Sequence, residues 1–250
     1  YLMLRRLYVE TRGKVVEHIA EKIMQMENQY YSINQMSSKE LEVCRELQTT
    51  GGYAVLDERI SEQDCDELKN YLSQCGNNDN NTCRKIIGEW KTLKAFKIVE
   101  EVLANRRLRH IVNSYIGCNL IVNSILAWRT RNDSNLVNKN KDALQFHFDC
   151  DHPSFIKVFV YLDHVDNESG PHMYIPNTSA TYRSRMKYEI QRDGRLSDIE
   201  VIKAGLAPKY ILGKKGTVIL ANTHNLHKGT IVKGNKSRYI LQIQYTNSLF

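Results

Sequence analysis

The spacing of hydrophobic positions changes along this chain. Over residues 1–30, Leu4, Tyr8, Val15, Ile19, Ile23 and Met26 fall near one stripe, with Arg and Lys elsewhere, and this predicts a helix. It reads either as a basic membrane-surface or partner helix, or more simply as a helix packed on its own domain or leading in from an earlier part. Ser37 with Glu40 forms a capping box that opens a second helix to about Gln48, and Gly51-Gly52 stops it. Tyr53 to Leu56 is then a short strand. Ser61 with Asp64 starts another helix to about Ser73. Helical spacing returns over roughly 92–115, through Leu93, Phe96, Val99 and Val102.

Beyond residue 119 the period falls to two. In 119–130, Leu120, Val122, Ser124, Leu126 and Trp128 share a face, and Asn123 and Arg129 lie on the other. Leu144, Phe146 and Phe148 alternate with Gln145, His147 and Asp149. Lys157–Leu162, Met173–Ile175, Thr217–Ala221 and Arg238–Thr246 complete the predicted strands. In the last of these, Tyr239, Leu241, Ile243 and Tyr245 face one way while Arg238, Gln242 and Gln244 face the other. A polar face on an otherwise buried strand predicts an enclosed interior with a site in it. Residues 180–210 are charged and irregular and read as an insertion or lid. Helices first and short strands after predict an α+β chain ending in a β-sandwich or jelly roll. Residues 1–36 are set apart as a helix or linker, and 37–250 as one domain.

Composition narrows the picture little. The chain has 250 residues, 42% hydrophobic and 25% charged, enough to bury a sizeable core without staples. A net charge of +7 suits an acidic partner, but no long Lys/Arg block with interleaved aromatics is present, which argues against nucleic acid. Six cysteines lack any C-x-x-C spacing, and no secretory or membrane-spanning pattern occurs. These features point to reduced thiols and a cytoplasmic location. The first residue is Tyr1, so a further domain before it is expected.

The chemistry concentrates in Gln145–Pro153, which holds His147, Asp149, Asp151 and His152. Strand periodicity puts His147 and Asp149 side by side, close enough to hold one cation. The segment 222–229 offers His224 and His227 as a third ligand. Two His and one carboxylate leave three octahedral positions open, the mark of non-haem Fe(II) oxygenases. An inward Arg238 follows on the next strand.

From Gln145 to Gln244 the chain resembles the phytanoyl-CoA dioxygenase-like family of Fe(II)/2-oxoglutarate oxygenases. His147-Phe148-Asp149 matches its H-x-D. The run from Val158 through Asp163–Gly170 to Tyr174–Thr178 resembles its strand, turn and "V-I-P-G-T/S-H" segment. His227-Lys228-Gly229 followed by Asn235–Arg238 resembles its distal region, and Gly52–Asp57 with Ile60-Ser61 its opening strand and helix. Arg238 follows His227 by 11 positions (238 − 227), close to the family pattern, whereas His224 would give 14, so His227 is the expected ligand. The resemblance implies a double-stranded β-helix (jelly roll) core with the N-terminal helices packed on the sheet. It implies Fe(II) on His147, Asp149 and His227, with 2-oxoglutarate and O2 as cosubstrates. The implied reaction is oxidative decarboxylation to succinate and CO2 followed by hydrogen abstraction from a small-molecule, glycan or carrier-bound substrate. Arg238 would grip the distal carboxylate of 2-oxoglutarate, since its planar fork suits a two-pronged pair. Related halogenases lack the carboxylate, so Asp149 favours hydroxylation or another oxidation.

Asn123 and Gln145 are further candidates for cosubstrate contacts. Arg129, His152 and His172 are candidates for substrate contacts. Two departures from the pattern stand out. Asn177-Thr178-Ser179 lacks the usual His, and His172 sits where the family carries an apolar residue. Two other readings compete. His147-x-Asp149-x-Asp151-His152 distantly resembles the two-metal motif of metallo-β-lactamase-fold hydrolases, and the fold could persist as an inactive binding module.

Overall fold

The computed structural model describes residues 36–49, 52–75, 84–116, 120–132, 144–149, 151–152, 154–178 and 195–246. The predicted helix at 1–30 and the first part of the predicted insertion lie outside them. Helix α1 (Ser38–Thr49) starts as its capping box requires: Ser37 Oγ accepts from the Glu40 N–H, and the Ser37 N–H donates to Glu40 Oε2 at 2.6 Å. Strand β1 (Tyr53–Arg59) and helix α2 (Glu62–Gln74) follow, with Ser61 capping α2 through the Asp64 N–H. The expected helix at 92–115 is three pieces, α3 (Trp90–Leu93), α4 (Lys97–Ala104) and α5 (Arg106–Ile116). Strand β2 (Arg84–Glu89), absent from the sequence reading, precedes them.

The remaining elements are β3 (Ile121–Arg131), β4 (Phe146–His147), β5 (Phe155–Tyr161), β6 (His172–Tyr174), β7 (Arg195–Leu196), α6 (Asp198–Lys203), β8 (Lys209–Ile211), β9 (Thr217–Ala221), β10 (His227–Gly229) and β11 (Ser237–Thr246). They form two antiparallel sheets, ordered β1-β9-β5-β11-β3-β2 and β7-β4-β10-β6-β8. Residues 195–210, the described part of the stretch read as an insertion, supply β7 and most of β8, the two outer strands of the smaller sheet.

The alternation of β11 divides the layers as its sequence predicts. Leu241 and Ile243 pack with Leu47, Leu68, Ile98 and Ile111 of the helices on the outer face of the large sheet. Ile240 joins Trp128, Phe159 and Ile219 against Tyr174 and Ile211 of the small sheet. The Tyr161 hydroxyl donates to the Ile211 carbonyl at 2.8 Å and ties the two sheets together. Because β5 lies between two covered faces, all seven of its residues are buried, including Lys157. The outer face of the small sheet is closed by a third cluster in which Val201 of α6 meets Phe146, Leu196 and Leu226.

Candidate metal centre

Between the sheets lies a cavity of about 430 Å³ with His147, Asp149, His172, His227 and Arg238 in its wall. His147 and His227 are direct cross-strand partners on β4 and β10, and their rings stand 4.3 Å apart. Asp149 follows β4 and is held by its own N–H donating to the Thr223 carbonyl at 2.9 Å. The ligand atoms of His147, Asp149 and His227 lie within 4.8 Å of one another. His227 Nε2 is 3.3 Å from Asp149 Oδ2, and His147 Nε2 is 3.7 Å from Oδ1.

Each imidazole is oriented by its own strand. His147 Nδ1 donates to the Gln145 carbonyl at 2.8 Å, and His227 Nδ1 donates to the Asn225 carbonyl at 2.9 Å. Both contacts fix the tautomer that leaves Nε2 with a lone pair for a metal. Burial, then the neighbouring His227, pushes His147 down to about 3, so it is neutral at physiological pH. Burial alone would raise Asp149, but His227, Lys157 and His147 outweigh it and hold the carboxyl well below its usual range. Two imidazoles that each turn Nε2 toward the carboxylate of Asp149 form with it a donor set that fits a divalent cation.

Arg238 is buried in the same wall, with Nη1 donating to the Gly170 carbonyl and Nη2 near Thr130 Oγ1 at 3.4 Å. Asn123 also reaches the cavity, by way of an irregularity. On β11, Gln244 pairs with Ser124 and Tyr245 pairs with Val122, so Asn123 is the extra residue of a β-bulge. The bulge lets Asn123 and Ser124 both line the cavity, and Gln244 Nε2 donates to Asn123 Oδ1 at 3.2 Å.

Three expected residues fall elsewhere, and so does His224, which the spacing had set aside in favour of His227. Gln145 acts here through its carbonyl on His147, and its side chain is outside the cavity wall. Arg129 points to the helical side of the large sheet, 5.9 Å over the Tyr239 ring, because β3 alternation sets it opposite Trp128. It does not reach the cavity. His152 sits at a half-exposed bend outside the wall, and His224 packs on the Phe155 ring at 4.4 Å. His172 does line the cavity. Sequence reasoning missed Lys157, whose Nζ lies 2.6 Å from Asp149 Oδ2 and 3.0 Å from Asp151 Oδ2. Its signal was a lone charge inside the apolar run Phe155–Tyr161.

No family model matches the sequence, and no curated protein matches it. Solved structures do match. HygX from Streptomyces hygroscopicus, with nickel and 2-oxoglutarate bound, aligns at a TM-score of 0.63 and 14% identity, over 86% of this chain and 89% of that chain. The chain shares its fold. The same fold is seen in SnoN, a non-haem 2-oxoglutarate-dependent epimerase from nogalamycin biosynthesis, at a TM-score of 0.60 and 11% identity over 83% of this chain and 82% of that chain. It recurs in the carbocyclase SnoK of the same biosynthesis, at 0.55 and 13% identity over 85% of this chain and 84% of that chain.

Proposed function

We propose that this chain is an Fe(II)- and 2-oxoglutarate-dependent dioxygenase of the phytanoyl-CoA dioxygenase-like type, with the two sheets forming a double-stranded β-helix. One observation carries the reading. His147, Asp149 and His227 turn their free lone pairs into a cavity whose wall also holds the buried guanidinium of Arg238. A metal site alone does not need Arg238, and a hydrolase built on His152 would need that residue in the wall. HygX carries 2-oxoglutarate and a metal on the same fold, which supports the assignment.

In this reading the three side chains hold Fe(II), and Arg238 takes the distal carboxylate of 2-oxoglutarate through a two-pronged pair. The bound group supplies oxidative chemistry with release of succinate and CO2. The protein supplies position and a dry wall. Trp128, Phe159 and Ile240 line the cavity with apolar surface. Gln244 follows Arg238 by six positions (244 − 238) on β11, a span of about 20 Å in an extended strand. Gln244 is the register partner of Lys157, so Asn123, Gln244, Lys157 and Asp151 form a polar end remote from Arg238. That end receives the substrate, a small or carrier-bound molecule with hydrogen-bonding groups, and the reaction is its hydroxylation.

The test is a calorimetric titration of 2-oxoglutarate with and without Mn(II). Binding that requires the metal supports the reading. A protein that ignores 2-oxoglutarate but turns over with Zn(II) is a hydrolase, and ligand binding indifferent to metal leaves a binding module.

A further inference from the structure

We propose that His172 is a second anchor for the distal carboxylate of the dicarboxylate cosubstrate, donating a hydrogen bond from Nε2 beside Arg238; the assignment rests on the proposed oxygenase function. His172 is 8% exposed, and its Nε2 is fully buried with no hydrogen-bond partner among the described residues. A buried polar atom of this kind is costly unless something satisfies it. The atom belongs to a residue of the cavity wall, so a ligand in the cavity can do so.

The place of the ring says which part of the ligand that is. One face lies against His227, with ring centres 5.5 Å apart and planes within 6°. Phe159 touches it at 5.2 Å and 43°. Arg238 donates to the carbonyl of Gly170, two residues before His172. The imidazole therefore lies against His227, two residues along the chain from the carbonyl that holds the guanidinium, and all three side chains line the one cavity that a cosubstrate joining metal and arginine would occupy. Its strand is pinned as well, since the His172 N–H donates to the Tyr161 hydroxyl, which in turn donates to Ile211. An imidazole carries an N–H on at least one of its two ring nitrogens. With that proton on Nε2, it presents a single directed donor to an oxygen anion.

The experiment compares the Mn(II)-loaded wild type with His172→Leu and His172→Phe, the latter filling the ring volume without a donor. Dissociation constants are measured calorimetrically for 2-oxoglutarate and for 2-oxovalerate, which carries a methyl group in place of the distal carboxylate. Both variants are expected to hold Mn(II) as the wild type does, to bind 2-oxoglutarate about tenfold to a hundredfold more weakly, and to bind 2-oxovalerate unchanged. His172→Gln, which can still donate, is expected to recover part of the loss. Unchanged 2-oxoglutarate affinity in the Leu and Phe variants overturns the assignment, as does an equal loss for both keto acids. A wild type that binds no 2-oxoglutarate with Mn(II) fails at the earlier step, and overturns the oxygenase reading together with this one.

Discussion

Lys157 Nζ stands 2.6 Å from Asp149 Oδ2, so the acid of the triad is already paired to a cation from the centre of the large sheet. Both side chains are largely buried, at 8% and 19% exposure. Removing one partner of such a pair leaves an uncompensated charge and costs about 3–5 kcal/mol. Metal-free Lys157→Met is therefore expected to unfold at lower urea concentration than the wild type. A divalent ion would take over the charge of Asp149, so Mn(II) should raise the thermal midpoint of the variant more than that of the wild type. Equal metal-induced shifts in the two proteins would refute this.

The geometry separates the two histidines of the 222–229 segment. His227→Ala and Asp149→Ala should each lose bound iron on gel filtration, as measured by metal analysis. His224→Ala, whose ring lies on Phe155 away from the cavity, should keep it. Iron retained by His227→Ala would move the distal ligand elsewhere.

Acid should destabilise the metal-free protein through its buried imidazoles. His147 is held at about 3 by burial and by His227, against 6.5 for an ordinary histidine. Between those values the unfolded chain binds a proton that the native site refuses. The contribution of His147 is therefore complete above pH 6.5 and shrinks as pH falls, by up to about 1.4 kcal/mol per unit. Burial, His227 and Arg238 push His172 in the same direction. Asp149, displaced downward, adds a loss only below the ordinary carboxylate range. Urea midpoints from pH 7 to 4.5 should decline in the wild type and decline less steeply in His147→Gln.

Gly170 supports Arg238 through a backbone that other residues cannot easily adopt. Its φ is +72°, and an added Cβ would lie 2.7 Å from the Thr230 carbonyl and 2.8 Å from Val232 Cγ2. Gly170→Ala is expected to cost about 1–3 kcal/mol and to shift the carbonyl that accepts from Arg238. Weaker 2-oxoglutarate binding with Mn(II) affinity preserved would be the result in calorimetry. A variant with wild-type affinity would show that Arg238 needs no such support.

Much of the site was legible because alternation along a strand is a local property. The parity of Arg238, Gln242 and Gln244 placed them on one face, and His147 with Asp149 followed from the same rule. The spacing from His227 to Arg238 chose between two histidines. Arg129 was misplaced in the sequence reading because polarity alone does not say which layer a side chain meets, and the layer opposite Trp128 is helical. Asn123 reaches the cavity by a bulge, which depends on the partner strand and leaves no mark in its own sequence. Lys157 went unnoticed because its counter-charges come from the loop before β5. The strands β7 and β8 were hidden in a charged stretch, since each is short and lies at a sheet edge where hydrophobic alternation is not demanded.

His147 and His227 face each other across β4 and β10, which are joined by a single register pair although 80 positions (227 − 147) lie between them. An ion seated on both would be a crosslink as much as a reagent. It would close a long chain loop at the place where the smaller sheet has its thinnest pairing, and such closures remove entropy from the unfolded chain. Loading the site would then be the last step of folding for that sheet. Amide exchange in β4 and β10 should slow on adding Mn(II), while exchange in β5 and β11 should stay the same. The cell's supply of metal would set how much of this protein is fully formed, as well as how much of it can react.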